Sequence, residues 1–381
     1  MTATLARVEA HVFRTPIKEP VRTSFGIMTE RVAVFVRVED SDGARGWGEI
    51  WCNFPNAAAE HRALLFADIL APRVLGKSLD DPAALWSDLD RALHVLRVQS
   101  GDAGALSAAA AGLDLAIHDL RARKRGLPLW RALGGTDGSP VPVYASGLNP
   151  GRAAYDTVGR MRAAGYCAYK IKVGFGEETD LGSLRPVARE LKAGERLMVD
   201  VNQGWDLRTA SALAPKLAEF GLYWIEEPLL ADRPMAEWTQ VAAAAPTQLA
   251  AGENLRGAGP FQEAIDSGLF GVIQPDAAKW GGHSGCLPVA RAALAAGRSY
   301  CPHFLGGAIG LVHSLHLLAA VRGPGLLEVD ANPNPLREGL LGDVLTVRDG
   351  SVSLPGGQGL GLEPDIKTLS SLRSLHLERR T

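Results

Sequence analysis

The sequence predicts an α/β protein built on a TIM-type barrel, with a smaller α+β domain before it. Three observations carry this reading. Eight short apolar segments recur from residue 141 onward: Val141–Ser146, Ala168–Val173, Leu197–Val201, Tyr223–Glu226, Leu249–Glu253, Val272–Asp276, Ser299–His303 and Leu326–Glu328. The titratable groups that end or nearly end the last seven are Lys172, Asp200, Glu226, Glu253, Asp276, His303 and Glu328. They recur at an interval of roughly 25 residues, which holds one strand, one helix and two short loops. Eight such units make a barrel whose chemistry lies at the C-terminal strand ends. The first 125 residues lack the repeat and read as strands, then helices, in separate blocks.

The chain has 381 residues, which suits two domains. Hydrophobic residues are 46% and charged residues 22%, which excludes the disordered, collagen-like and disulfide-scaffold classes. Forty basic against forty-two acidic residues leave no excess to neutralise a phosphate backbone, so nucleic acid is not an expected partner. Cys52, Cys167, Cys286 and Cys301 are far apart and form no C-x-x-C motif, which argues against a zinc ribbon. The opening residues lack the apolar run of a signal peptide, so a reduced, cytoplasmic setting is expected.

Within the N-terminal block, Arg31–Val38 is β-branched and bounded by Asp40-Ser41-Asp42-Gly43, and Gly46–Ile50 follows as its hairpin partner. Residues 57 to 125 are rich in Ala and Leu with charges at helical spacing, and Pro128 with Gly134-Gly135 marks a boundary. Phe304 to Val321 carries no Asp, Glu, Lys or Arg and is long enough to be considered as a membrane span. Its glycines and its histidines, His313 and His316, read instead as a glycine loop followed by a buried helix. Gly76-Lys77-Ser78 is preceded by Ala71 where a phosphate-binding loop needs its first glycine.

Asp200, Glu226 and Glu253 end consecutive units. Neighbouring strands lie ~4.8 Å apart, so their side chains can converge. Three carboxylates that close require protons or a cation between them. An all-oxygen set suits a hard ion such as Mg²⁺, and the absence of cysteine and histidine argues against zinc. Lys170 and Lys172 lie two apart on one strand and so share a face, here the barrel interior. A lysine lowered toward ~7–8 by a neighbouring like charge and a cation serves as a general base. Asp276 and His303 supply a carboxylate–imidazole pair from the sixth and seventh units, a second acid/base opposite Lys172. Glu328, on the eighth, can hydrogen-bond a substrate carboxylate if held protonated. The combination is a metal that binds a small-molecule carboxylate, with Lys170 adding fixed positive charge and bases on two faces of the α-carbon. Trp47, Trp51, Phe54 and Trp280 read as packing, although Trp51 and Phe54 follow the hairpin in a loop.

At these residues the chain resembles the enolase superfamily, and within it the mandelate racemase subgroup. Lys170-Ile171-Lys172 is similar to its K-x-K motif. Val199–Gln203, Ile225–Pro228 and Ala251–Asn254 are similar to its three metal-ligand strands, and Pro275–Gly282 with Pro302–Phe304 to its Asp–His strands. The resemblance implies a modified (β/α)7β barrel over residues 126–330, an α+β capping domain over 1–125, and a C-terminal segment, 331–381, that completes the cap. It implies Mg²⁺ on Asp200, Glu226 and Glu253, and Lys172 and His303 as the two bases, with Asp276 as the partner of His303. It implies a carboxylate neutralised by Lys170, and substrate contacts from Asn202 and Ser146. Substrate choice falls to the capping loops Thr23–Met28 and Trp51–Pro55, hence to Phe25, Trp51 and Phe54. Lys279 resembles a catalytic lysine of the muconate-lactonizing subgroup, but Asp276 with His303 favours a structural role for it. The expected reaction is dehydration of a sugar acid to a 2-keto-3-deoxy acid. Racemisation or epimerisation by the same residues is the alternative, and a catalytically silent binding protein the remaining one. Homo-oligomers are common in this subgroup.

Overall fold

The computed structural model describes residues 3–381. Period-two alternation organises the N-terminal strands. Strands β1 (Leu5–Thr23), β2 (Gly26–Asp40) and β3 (Arg45–Ile50) form an antiparallel meander, with Val34 opposite Ile50 and Val38 opposite Gly46. One face presents Val8, Val12, Val34, Val36, Val38 and Ile50 to the helical stretch 58–74 and to helices Pro82–Ser100 and Ala103–Lys124. The opposite face carries Phe13, Phe35 and Trp47 into the core that the barrel shares. Alternation thus buries both sides of one sheet. The contact with helix Ala103–Lys124 is close because β3 places glycine there. A Cβ on Gly48 would collide with the Gly112 carbonyl oxygen, so no larger residue fits without moving the helix.

The barrel strands are β4 (Val141–Leu148), β5 (Ala168–Lys172), β6 (Arg196–Asp200), β7 (Ile225–Glu226), β8 (Leu249–Ala251), β9 (Phe270–Ile273), β10 (Ser299–Tyr300) and β11 (Leu327–Asp330). They pair in parallel in chain order from β4 to β10, and β11 returns to pair with β4. Helices follow the first seven strands on the outside, the last being the buried helix Ala308–Val321. No helix among the described residues is long and apolar enough to cross a membrane. His313 bonds the Trp47 carbonyl at 2.8 Å and His316 the Leu360 carbonyl at 3.1 Å, so both are core histidines.

Inside the barrel, alternation builds layers. Tyr144, Ala168, Met198, Trp224, Ala250, Val272, Cys301 and Leu326 form a closed apolar floor. Two positions further along, the same strands present Ser146, Lys170, Asp200, Glu226, Gln274, His303 and Glu328, all buried. A period of two makes this switch from packing to chemistry a single step.

The C-terminal segment serves both halves. Beyond helix Pro335–Leu341, strands β12 (Val347–Arg348) and β13 (Ser351–Val352) form a hairpin that pairs with the foot of β4, and β14 (Arg373–Arg380) adds antiparallel to β1 at the edge of the capping sheet. The sequence expectation of a C-terminal segment that completes the cap misses the hairpin. Strands this short carry no periodic signal of their own.

Candidate active site

The register of the parallel strands brings the charged groups together. Lys172 lies opposite Asp200, and Asp200 opposite Glu226, on three successive strands. Lys170 Nζ donates to Glu226 at 2.5 Å and lies 2.8 Å from Glu328. Lys172 Nζ donates to Asp200 and to the Asn202 side-chain oxygen, both at 2.6 Å. On the other side of the mouth, His303 Nδ1 faces Asp276 at 2.7 Å and His303 Nε2 faces Glu253 at 2.5 Å. Asp276 also accepts the backbone N–H groups of Ala278 and Lys279, which fixes its carboxylate.

Backbone conformation marks the same strand ends. Asn202, Gln203 and Glu227 have φ of 46°, 63° and 39°, the left-handed region in which side chains are disfavoured. Such residues collect where surrounding contacts over-determine the chain. Here the Gln203 N–H bonds the Glu227 carbonyl at 2.8 Å, and Asn254 donates to both Glu227 carboxylate oxygens.

A cavity of about 210 Å³ lies over this layer. Its base holds Lys172, Asn202, Glu253 and His303, and its walls are Phe25, Trp51, Phe54 and Leu305 from the capping loops and the last barrel loops. Phe25 and Phe54 meet edge to face at 5.1 Å, and Phe25 remains 60% exposed. Ser24 donates to the Asn202 carbonyl at 2.7 Å and Asn53 to the Leu305 carbonyl at 2.7 Å, so both capping loops are tied to the mouth.

Several expectations change in detail. Asp200, Glu226 and Lys170 lie beneath the cavity wall rather than on it, and so do Ser146 and Glu328. The Ser146 hydroxyl bonds Glu328, which leaves it no free donor for a substrate. Glu328 is not pushed up toward a protonated state: burial raises it, but Lys170 and His303 outweigh burial and hold it below the usual carboxylate range. Lys172 is likewise not lowered. Burial pushes it down, but Asp200 beside it more than offsets this and leaves it above its ordinary value. The expected lowering required a cation to take up the charge of Asp200. Lys279, read as structural, reaches the cavity wall. Its Nζ bonds the Asn254 side-chain oxygen at 3.1 Å and lies 4.6 Å over the Trp51 ring.

Three partners escape the sequence reading. Trp224 Nε1 and Gln274 Nε2 both donate to the second oxygen of Glu226, at 3.0 and 2.8 Å. Glu227 is a further buried carboxylate at the mouth, beside Glu226. Trp224 and Gln274 each lie two positions before a titratable strand-end group, so the period of two already marks them as inward-facing.

The donor set suits a divalent cation. Asp200, Glu226 and Glu253 do not bring one oxygen each within 4.8 Å of one another, because Lys170, Lys172 and His303 lie against them. Negative charge nevertheless exceeds what these cations satisfy. Burial, only partly offset by Lys170, pushes Glu226 up to about 7, and burial beside Glu253 pushes Glu227 up as well. A set of buried carboxylates, which offers oxygen ligands only, is what a hard ion neutralises.

The chain matches two family models. Residues 7–134 match the mandelate racemase / muconate lactonizing enzyme N-terminal domain, and residues 153–368 the enolase C-terminal domain-like family. A solved structure of a mandelate racemase/muconate lactonizing enzyme from Bordetella bronchiseptica RB50 is 50% identical, with a TM-score of 0.91 over 98% of this chain and 100% of that one. The D-galactarolactone cycloisomerase of Agrobacterium fabrum is 29% identical over 97% of this chain and 98% of its own length. The L-talarate/galactarate dehydratase of Salmonella typhimurium LT2, solved with Mg and L-lyxarohydroxamate, is 27% identical, with a TM-score of 0.87 over 100% of this chain and 95% of that one.

Proposed function

The chain belongs to the mandelate racemase/muconate lactonizing enzyme family of the enolase superfamily, and from that premise we propose that it removes the proton α to the carboxylate of a sugar acid and expels water. The observation that carries this reading is that Lys172 and His303, from the second and seventh barrel strands, line one cavity. An α-proton held between them is within reach of a base on either side.

Asp200, Glu226 and Glu253 would hold Mg²⁺. When bound, the ion supplies positive charge for the carboxylate oxygens on which negative charge builds. Lys172, in its free-amine form, takes the proton from the α-carbon. Asn202, which accepts from Lys172 in the structure, orients that amine toward the cavity. Asp276 holds His303 by Nδ1, and Nε2, which lies 2.5 Å from Glu253 in the structure, would face the substrate once it parts from that carboxylate. His303 delivers a proton to the β-hydroxyl, the C–O bond breaks, and water leaves. The enol that remains picks up a proton at C3 and releases the proton of its C2 hydroxyl to become the 2-keto-3-deoxy acid. The Asp276 carboxylate balances the charge on the imidazolium while it carries the proton. Each base contributes about 10²–10⁴-fold. Lys170 and Glu328, beneath the cavity wall, set the field around the reacting carboxylate without touching it. The dehydratase and cycloisomerase relatives support acid-sugar chemistry.

The test is a panel of acid sugars incubated with Mg²⁺ in D₂O and read by NMR. Dehydration appears as a keto product. Deuterium at C2 of recovered substrate or of its epimer, without a keto product, signals racemase chemistry instead. Lys172→Ala and His303→Asn should abolish both signals, and retention of either in both variants would overturn the assignment of the bases.

A further inference from the structure

Outside the mouth, one cluster of ligand-type side chains stands apart. Glu9 and His11 alternate on one face of β1, and His376 of β14 lies directly opposite His11 in the antiparallel register. The two imidazoles are stacked, 4.4 Å apart between centroids and 5° from parallel. His376 Nε2 lies 3.4 Å from Glu9 Oε1. One ligand atom from each of the three lies within 4.8 Å of the other two, and among the described residues no other trio of His, Cys, Asp and Glu does so.

A second observation points to a ligand. His11 is 3% exposed, and neither of its ring nitrogens has a hydrogen-bond partner. A buried imidazole with two orphaned nitrogens is costly unless something meets them. Burial, with His376 and nearby arginines adding to it, holds His11 neutral, down to about 3, which is the form in which imidazole binds metals. Glu9 is also held by Arg7 at 2.8 Å and by Arg37, but each carboxylate oxygen keeps a second lone pair. Arg7 is itself shared with Glu378 at 2.8 Å and Glu39 at 3.8 Å.

We propose that Glu9, His11 and His376 bind a second divalent ion, of the borderline class typified by Zn²⁺, that staples the last strand of the chain to the first. Two imidazoles and one carboxylate with an open fourth position suit Zn²⁺ and disfavour Mg²⁺, which prefers oxygen. His376 is partly exposed on an edge strand, which provides a way in for the ion. The site lies on the capping sheet and is separate from the carboxylates of the barrel mouth.

The test uses the full chain in millimolar Mg²⁺, so that oxygen-only sites are filled, and titrates Zn²⁺ by calorimetry. Wild type should bind one more Zn²⁺ than His376→Ala, and Zn²⁺ should raise the melting temperature of wild type by several degrees more than that of the variant. Glu9→Gln should weaken the same binding step. Dehydratase or exchange activity should be unchanged in His376→Ala, because the site is not part of the mouth. Equal Zn²⁺ stoichiometry and equal thermal shifts in wild type and His376→Ala, or no Zn²⁺ bound by wild type under these conditions, would overturn the proposal.

Discussion

The floor and the mouth of the barrel are made of the same strands, two positions apart, and they obey opposite rules. Tyr144, Ala168, Met198, Trp224 and Val272 exclude every charge. Ser146, Lys170, Asp200, Glu226 and Gln274, the next inward positions, carry polar or charged groups throughout. The floor makes the mouth work. Charges above a dry, packed layer cannot be solvated from below, so each must be answered by a neighbour or by an ion. That is why Lys170 pairs with both Glu226 and Glu328 and why its ammonium lies 5.3 Å over the Tyr144 ring, where one layer touches the other.

The contrast can be broken first at the mouth. Lys172→Ala and His303→Asn should each lower α-proton exchange about 10²–10⁴-fold, while the circular dichroism spectrum stays that of wild type. The floor should respond in stability instead. Trp224→Ala removes the largest fully buried side chain and one donor to Glu226. It should cost about 3–5 kcal/mol in denaturant unfolding.

A carboxylate buried without a cation sharpens the comparison. Glu49 of β3 reaches across to the start of helix Ala308–Val321, where the Gly307 and Gly310 N–H groups donate to it. With no cation paired to it among the described residues, burial dominates and pushes it up to about 7. Between pH 4.5 and 7 the folded protein therefore binds more protons than the unfolded chain. The stability from protonated Glu49 is full below pH 4.5 and lost as pH rises toward 7, by roughly 3 kcal/mol. Urea melts across this range should show that fall in wild type and a flatter profile in Glu49→Gln.

The smallest effect on stability belongs to the capping loops. Phe25→Ala should change the unfolding free energy by less than about 0.5 kcal/mol, because its ring is mostly exposed. Steady-state kinetics should instead show a changed KM, since Phe25 and Phe54 form one wall of the cavity.

How much of this is legible in the sequence depends on the range of the interaction. Lys172, Asp200, Glu226, Glu253, Asp276 and His303 announce themselves by a repeat of roughly 25 residues, because every unit must contain one strand and one helix. Trp224 and Gln274 carry the same period but stay hidden because neither side chain titrates. The state of each charge is not legible. Whether Glu328 is ionised depends on Lys170, which lies on a strand far away along the chain and 2.8 Å distant in space. The place of Lys279 is equally hidden, since it depends on the Trp51 ring arriving from the capping domain.

The one-dimensional pattern therefore determined which residues point inward and at which end of the barrel they gather, because strand period and repeat length are local properties of the chain. Folding in three dimensions decided which inward groups touch, which carry charge, and that β14 closes against β1 to set two histidines face to face. Those outcomes rest on distances between segments that share no sequence neighbourhood, and electrostatic energy follows distance in space rather than along the chain.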